Sequence, residues 1–278
     1  MARMPEGPPP PPTVQKLRIR YAKRGRLRFT SHRDIQRAFE RALRRARVPM
    51  AYSAGFTPHP KVSWAGAAPT GVASEAEYVE IGVTRALVPA ELAAALDGSL
   101  PPDLDILEVV EAATPNLMER LEASVWEIRL PGVLPEEAEG AVTAFLAAGE
   151  VPVERMTKNG VRSFDARAAV VAIAADAAGG GVSAGEGVGG EGDGQADRPC
   201  AILRLVVRHL TPAVRPDDVL TGLGRVAGLV PPVPPQVTRL AQGPLRVGSE
   251  AAAASVSVEA LSDPLDPDRA AAGPTTER

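Results

Sequence analysis

The chain has 278 residues, of which 45% are hydrophobic and 4% aromatic, a composition sufficient for one large or two ordinary domains. Its net charge of −3 is unevenly distributed, because residues 1–61 carry fifteen Lys and Arg against three acids, whereas residues 62–278 carry sixteen against thirty-one. The single cysteine, Cys200, excludes an internal disulfide and a cysteine-bound zinc or iron–sulfur site within this chain. The sequence has no long apolar run and no apolar leader, which predicts a cytoplasmic protein with no membrane segment.

Three segments are predicted to have no regular structure. They are the N-terminal tail at 1–14, a Gly-rich insertion at 177–198 and the C-terminal tail at 247–278. Their Gly, Pro, Ala and acidic residues bury too little apolar surface to offset the entropy lost on folding.

The first predicted domain, residues 15–115, has the element order strand, helix, strand, strand, helix, strand. Alternating apolar and basic residues at 16–23 and 26–31 are typical of a half-buried strand or hairpin. The elements that follow are a helix at 32–48, an irregular loop at 52–71, a strand at 77–83, a helix opened by Pro89 at 89–100 and a strand at 104–112.

The second predicted domain, residues 122–246, repeats that order. Its elements are strands at 124–130, 151–158, 164–175, 200–209 and 236–242, and helices at 135–148 and 215–228. The fold class predicted from both halves is α+β, with two ferredoxin-like (βαββαβ) sandwich domains, each an antiparallel sheet covered on one face by two helices.

The helix at 32–48 separates an apolar face from a basic one. Ile35, Phe39 and Leu43 share one side, while arginines spread over the other. Like charges three and four residues apart disfavour a helix, so their presence favours a polyanionic partner over a merely solvated face. The candidate phosphate-binding residues of the helix and the preceding strand are Arg18, Arg20, Arg33, Arg37, Arg41 and Arg44.

The loop at 52–71 carries an unusual set of side chains. Pro58 and Pro60 hold the chain extended on both sides of His59. Phe56, Trp64 and Lys61 are candidates to stack a base and neutralise its phosphate, or alternatively the two rings pack the loop onto the sheet. Lys158 and Arg162, beside a predicted Asn-Gly hairpin turn, either extend the cationic surface or form cross-strand salt bridges.

Two histidines suggest a catalytic alternative. If the loop folds over the start of the helix, His59 and His32, with Lys61 or Tyr52, form an acid/base set of the kind used by metal-independent RNA-cleaving enzymes. No ligand pair has zinc-like spacing, so neither a metal nor a cofactor is predicted. His209 and Cys200 are interpreted as structural residues.

Residues 30–78 resemble an uncharacterised bacterial family of radical-SAM-linked proteins, in which this segment is fused to a radical SAM enzyme or encoded beside one. The matching residues are Ser31, His32, Asp34, Gly55, Phe56, Pro58, His59, Pro60, Ser63, Pro69, Gly71, Ser74, Glu75 and Tyr78. The resemblance extends to about residue 245 and implies an association with radical chemistry. Because the iron–sulfur cluster needs three cysteines, the resemblance implies that a separate partner chain holds it.

These observations predict an accessory RNA-binding protein for RNA processing or modification, which presents its substrate to a radical SAM partner. Two alternatives stay open. One is a metal-independent enzyme acting on RNA through His59 and His32, and the other is a protein-docking module that uses the arginine helix.

Overall fold

The computed structural model describes residues 10–157, 160–177, 199–246 and 256–272. The chain forms two units. The first contains the residues up to Arg120 together with those from Asp263 onward, and the second contains Leu121–Ser262.

The first unit contains a four-stranded antiparallel sheet. Its strands follow the spatial order β4-β1-β3-β2, and every neighbouring pair is antiparallel. The elements are β1 (Gln15–Lys23), α1 (His32–Arg45), β2 (Val62–Ala65), β3 (Ala73–Val83), α2 (Pro89–Asp97), β4 (Ile106–Glu111), α3 (Leu117–Arg120) and, after the second unit, α6 (Asp266–Ala272).

The period of two along β1 decides which sheet face becomes the core. Leu17, Ile19 and Tyr21 are buried and pack in one cluster with Phe39 and Leu43 of α1. Full burial of each such side chain contributes about 1.5–3 kcal/mol, so this cluster fixes α1 on the sheet and leaves the opposite side of the helix for solvent. The alternate basic residues of β1 therefore lie on the other sheet face.

The second unit repeats this arrangement with one added hairpin. Its sheet has the order β10-β5-β9-β8, again antiparallel throughout, and β6 pairs only with β7 among the described residues. The elements are β5 (Ala123–Pro131), α4 (Pro135–Ala147), β6 (Pro152–Thr157), β7 (Gly160–Asp165), β8 (Val170–Ala177), β9 (Cys200–Arg208), α5 (Pro216–Ala227) and β10 (Gln236–Gly243).

The predicted α+β class is confirmed, with two local corrections in the first unit. Residues 26–31 are not a strand, because Gly25–Phe29 forms a 3₁₀ helix closed by a bond from Thr30 N to Leu27 O. Gly25 starts this turn with φ +49, and a Cβ there would lie 2.3 Å from Asp103 Oδ2. The loop predicted at 52–71 also contains β2, which pairs with β3.

The C-terminal prediction is wrong for residues 256–272. Val258–Ala260 forms a 3₁₀ turn in the second unit, and α6 belongs to the first. The physical reason is a charged side chain, Asp268, that is fully buried among arginines of the first unit. Residues 1–9, 178–198 and 247–255, which carry most of the other predicted unstructured sequence, lie outside the described residues.

Candidate nucleic-acid interface

The arginine face of α1 is exposed along its whole length. Ser31 caps the helix, since its Oγ accepts a bond from Asp34 N at 3.2 Å, and the core cluster holds the opposite face. The exposed arginines on this surface, called here the arginine ridge, are Arg33, Arg37, Arg41 and Arg44.

The ridge is only weakly neutralised by acids. Arg37 pairs with Asp34 at 3.2 Å, but both side chains are 54% exposed, so solvent screens the pair. The pKa of Asp34 is lowered, first by its hydrogen bond from Ser31 and then by Arg37. Arg44 Nε donates to a backbone oxygen, Glu40 O, at 3.2 Å. Within residues 10–157, Arg33 and Arg41 form no ion pair, and the ridge keeps its positive charge.

The basic residues of β1 are neutralised instead, contrary to the prediction that they bind phosphate. Arg18 is 2% exposed and pairs with Glu80 at 3.0 Å and with Asp268 at 2.5 Å. Arg20 is half-buried, donates to Glu75 O at 3.0 Å and lies 3.6 Å from Asp263. The structure therefore removes Arg18 and Arg20 from the free cationic surface.

The loop at 52–60 is closed at its base by main-chain contacts. Tyr52 and Pro60 form a β-bridge, Ser53 N donates to His59 O at 2.8 Å, and His59 N donates to Ser53 Oγ at 3.0 Å. Gly55 has φ +136, which a side chain would oppose. The loop is ordered without burying its rings, since Tyr52 is 42% and Phe56 68% exposed.

This loop projects from the end of the first unit where α1 ends. After α1 the chain returns to the end of β3, with Ala51 N bonded to Gly82 O and Gly82 N bonded to Lys61 O. Lys61 is exposed, and its Nζ donates to Thr13 Oγ1 at 2.9 Å. The exposed rings of Tyr52 and Phe56 therefore belong to the same end of the unit as Arg44.

Trp64 differs from the prediction that it stacks on a base. It is half-buried, and its ring centroid lies 5.2 Å from Phe39 and 6.0 Å from Tyr21, both at edge-on angles. These two partners belong to the core cluster, so Trp64 anchors β2 to α1. This is the packing alternative that the sequence left open for one of the two rings.

His32 and His59 have different partners in the structure. His32 begins α1, where its ring meets Trp64 at 5.2 Å and Gln36 at 3.1 Å. His59 lies in the exposed loop after α1, where its main chain is bonded to Ser53. Burial lowers the pKa of His32, with Glu77 opposing and Lys23 adding to that shift. Among the described residues no hydrogen bond or ring contact joins the two imidazoles, so the acid/base set stays a prediction.

In the second unit, Arg162 is an exposed residue of β7. Its cross-strand partner is Arg155, which lies over Phe164 at 4.9 Å and pairs with Asp218 at 2.7 Å, so no salt bridge joins the two strands at this position. The pairing of Thr157 with Gly160 confirms the predicted hairpin, while Lys158 lies outside the described residues.

Sequence reasoning missed the residues that bury Arg18. Asp268, from the predicted C-terminal tail, pairs with Arg18, and Arg120, from between the two predicted domains, pairs with Asp268. No periodic pattern marks them, because the contact joins positions 250 residues apart. Among the described residues, no group of three His, Cys, Asp or Glu is arranged to hold a metal, and no helix is long and apolar enough to cross a membrane.

A comparison with curated proteins finds no match. The family model described as an uncharacterized protein conserved in bacteria (DUF2344) matches residues 16–216, which include the arginine ridge, the loop at 52–60 and most of the second unit. Because this match covers more than half of the chain, the protein belongs to the bacterial DUF2344 family.

Proposed function

We propose that this protein is a cytoplasmic, accessory RNA-binding protein that holds RNA on the arginine ridge of α1 and presents it to a separate partner. The observation that carries the proposal is a difference in burial and ion pairing between two groups of arginines. Those of β1 are buried or paired with carboxylates, whereas the four of the ridge are exposed and share one screened ion pair.

The fold supports this assignment. The element order and the strand orders β4-β1-β3-β2 and β10-β5-β9-β8 are those of a ferredoxin-like domain, so we infer that both units have this fold. Small antiparallel sheets with helices on one face are common among modules that bind single-stranded RNA. In the first unit, the sheet face turned away from α1 carries charges that are already paired, and residues 263–272 cover it, which favours α1 as the binding surface.

The length of the ridge suits several phosphates. From Arg33 to Arg44 the helix rises about 16 Å. One strand of a nucleic-acid helix places a phosphate every 3.4 Å along its axis, so four arginines can each reach a different phosphate. Such contacts carry no sequence information, and the binding they provide is nonspecific.

The loop at 52–60 adds a surface for bases beside that surface for phosphates. Phe56 and Tyr52 expose their rings at the end of the unit where the ridge ends, and Lys61 supplies an exposed ammonium nearby. Aromatic side chains stack on any base, which suits an accessory protein that binds single-stranded or looped RNA.

A radical SAM enzyme is our proposed partner. The proposal rests on the resemblance of residues 30–78 to radical-SAM-linked proteins, and a chain with one cysteine needs the enzyme to bring its own cluster. In this arrangement the protein binds RNA and the partner performs the chemistry.

Binding of an oligouridylate to the full chain tests the function. We expect Arg37→Glu with Arg41→Glu to abolish binding, because two attractions become repulsions. The matched control is Arg129→Glu with Arg208→Glu, which changes the net charge equally at exposed positions of the second unit. Equal loss in both double variants would refute a ridge site, and a nuclease-resistant protein complex lost only in the ridge variant would favour the docking alternative.

A further inference from the structure

The sheet face of the first unit that is turned away from α1 and α2 is covered by the chain's own C-terminal segment. Residues 263–272, called here the strap, include α6 and cross the basic side of β1. Arg18 and Arg20 alternate with core residues along β1 and so project from this face.

Four donors converge on one carboxylate of the strap. Asp268 Oδ2 accepts from Arg18 Nη1 at 2.5 Å and from Arg120 Nη1 at 2.9 Å. Asp268 Oδ1 accepts from Thr114 N at 2.9 Å and from Thr114 Oγ1 at 2.6 Å. Two guanidinium groups, a backbone amide and a hydroxyl form the donor set that binds a phosphate oxyanion as readily as a carboxylate.

These bonds determine the charge state of Asp268. Burial acts to raise its pKa, but the hydrogen bonds from Thr114, Arg18 and Arg120 prevail and hold the pKa below its usual range. The group is therefore an anion at neutral pH, and its site holds a full negative charge with no exposure to solvent.

The strap as a whole compensates the charge of the face it covers. Without the strap, the face carries four cations against the carboxylates of Glu80 and Glu108. The strap adds three aspartates and Arg269, which pairs with both oxygens of Glu108 at 2.6 and 2.7 Å. The cations of this face are Lys16, Arg18, Arg20 and Arg120.

The strap is attached mainly by charge. Its buried apolar contacts come from Pro264 and Leu265 alone, while residues 266–267 and 270–272 are exposed. A helix of seven residues is not stable in isolation, so α6 exists because it is docked. An attachment of this kind weakens with salt and competes with other anions.

We propose that Arg18, Arg120 and Thr114 form an oxyanion-binding site on the sheet face, that Asp268 is its resident occupant, and that backbone phosphates of RNA displace the strap and bind there. The identity of the ligand as RNA rests on the proposed function, whereas the site itself does not. The protein then has a second phosphate-binding surface, which lies on the opposite face of the first unit from the ridge and opens only when the strap leaves.

Because the strap closes the site, the apparent affinity for RNA is the intrinsic affinity multiplied by the fraction of molecules in which the site is open. Replacing Asp268 by Asn keeps its shape but removes the charge that holds the two guanidinium groups. We expect Asp268→Asn to bind an oligouridylate about fivefold or more tightly than the wild type. The dependence of log affinity on log salt should steepen by about 1.4, because each of two added phosphate contacts contributes about 0.7.

Hydrogen exchange on the full chain tests the displacement directly. With saturating oligouridylate, and separately with tripolyphosphate, we expect amide exchange in residues 263–272 to accelerate. The matched control is Asp266→Asn on the same helix, whose side chain is 61% exposed and, among the described residues, pairs only with Arg269. That variant should bind RNA as the wild type does.

The outcomes separate the site from the proposed function. If residues 263–272 keep their exchange rate with both anions at saturation, the oxyanion site is refuted, and Asp268 is a structural residue only. If tripolyphosphate accelerates the exchange while RNA does not bind at all, the site stands and the proposed RNA-binding function fails. If Asp268→Asn does not fold, the exchange experiment on the wild type still decides.

Discussion

Removing one ridge arginine should lower the salt dependence of RNA binding by a definite amount. Each phosphate contact to single-stranded nucleic acid contributes about −0.7 to the slope of log affinity against log salt, so four ridge contacts give about −2.8. We expect Arg41→Ala to reduce the magnitude of this slope to about 2.1, because Arg41 is exposed and forms no ion pair within residues 10–157 that would be lost at the same time.

Fluorescence anisotropy of a labelled oligouridylate, measured over a range of salt concentrations, gives the slope. Arg208→Ala is the matched control, since Arg208 is also exposed and belongs to β9 of the second unit. An unchanged slope in Arg41→Ala, or an equal decrease in Arg208→Ala, would mean that general charge rather than the ridge attracts the RNA.

Three further predictions test the loop, the histidines and the second unit. Phe56→Ala should weaken RNA binding by about 1–3 kcal/mol with unchanged stability, because its ring is 68% exposed. Trp64→Ala should lower the unfolding free energy by about 2–3 kcal/mol in chemical denaturation, because its ring packs against Phe39. Burial lowers the pKa of His32 and of His209, so the unfolded state binds protons more readily and the unfolding free energy should fall as pH drops from 7 through about 6.5. His209→Asn should make that fall shallower. A steeper fall in this variant would contradict the lowered pKa of His209. Gly222→Ala should destabilise α5 by about 1–3 kcal/mol, since its Cβ would lie 3.0 Å from Phe145 and from Val151, and an unchanged melting temperature would show that the helix shifts freely.

The arginine ridge could be predicted from the sequence because the information is local. A helix places residues three and four apart on one face, and the apolar set around Phe39 selects the buried side, so the exposed positions of Arg33 and Arg41 follow from spacing alone. Several strands, such as β1 and β5, could be placed for the same reason, since their apolar residues alternate with polar ones. The pattern did not find β2, and the strand predicted at 164–175 is divided between β7 and β8.

The errors arose where the deciding contact is distant or where local geometry overrides the pattern. Arg18 has the spacing of an exposed strand residue, but it is buried and paired with Asp268, 250 positions away. Residues 26–29 alternate like a strand, yet the left-handed turn at Gly25 makes them a 3₁₀ helix.

Crosslinking of the protein to RNA in cells, followed by sequencing of the bound RNA, tests the proposed function most directly. The wild type is compared with Arg37→Glu/Arg41→Glu and with the control Arg129→Glu/Arg208→Glu. We predict that RNA is recovered with the wild type and with the control and is lost in the ridge variant. Equal recovery from all three proteins would contradict RNA binding by the arginine ridge.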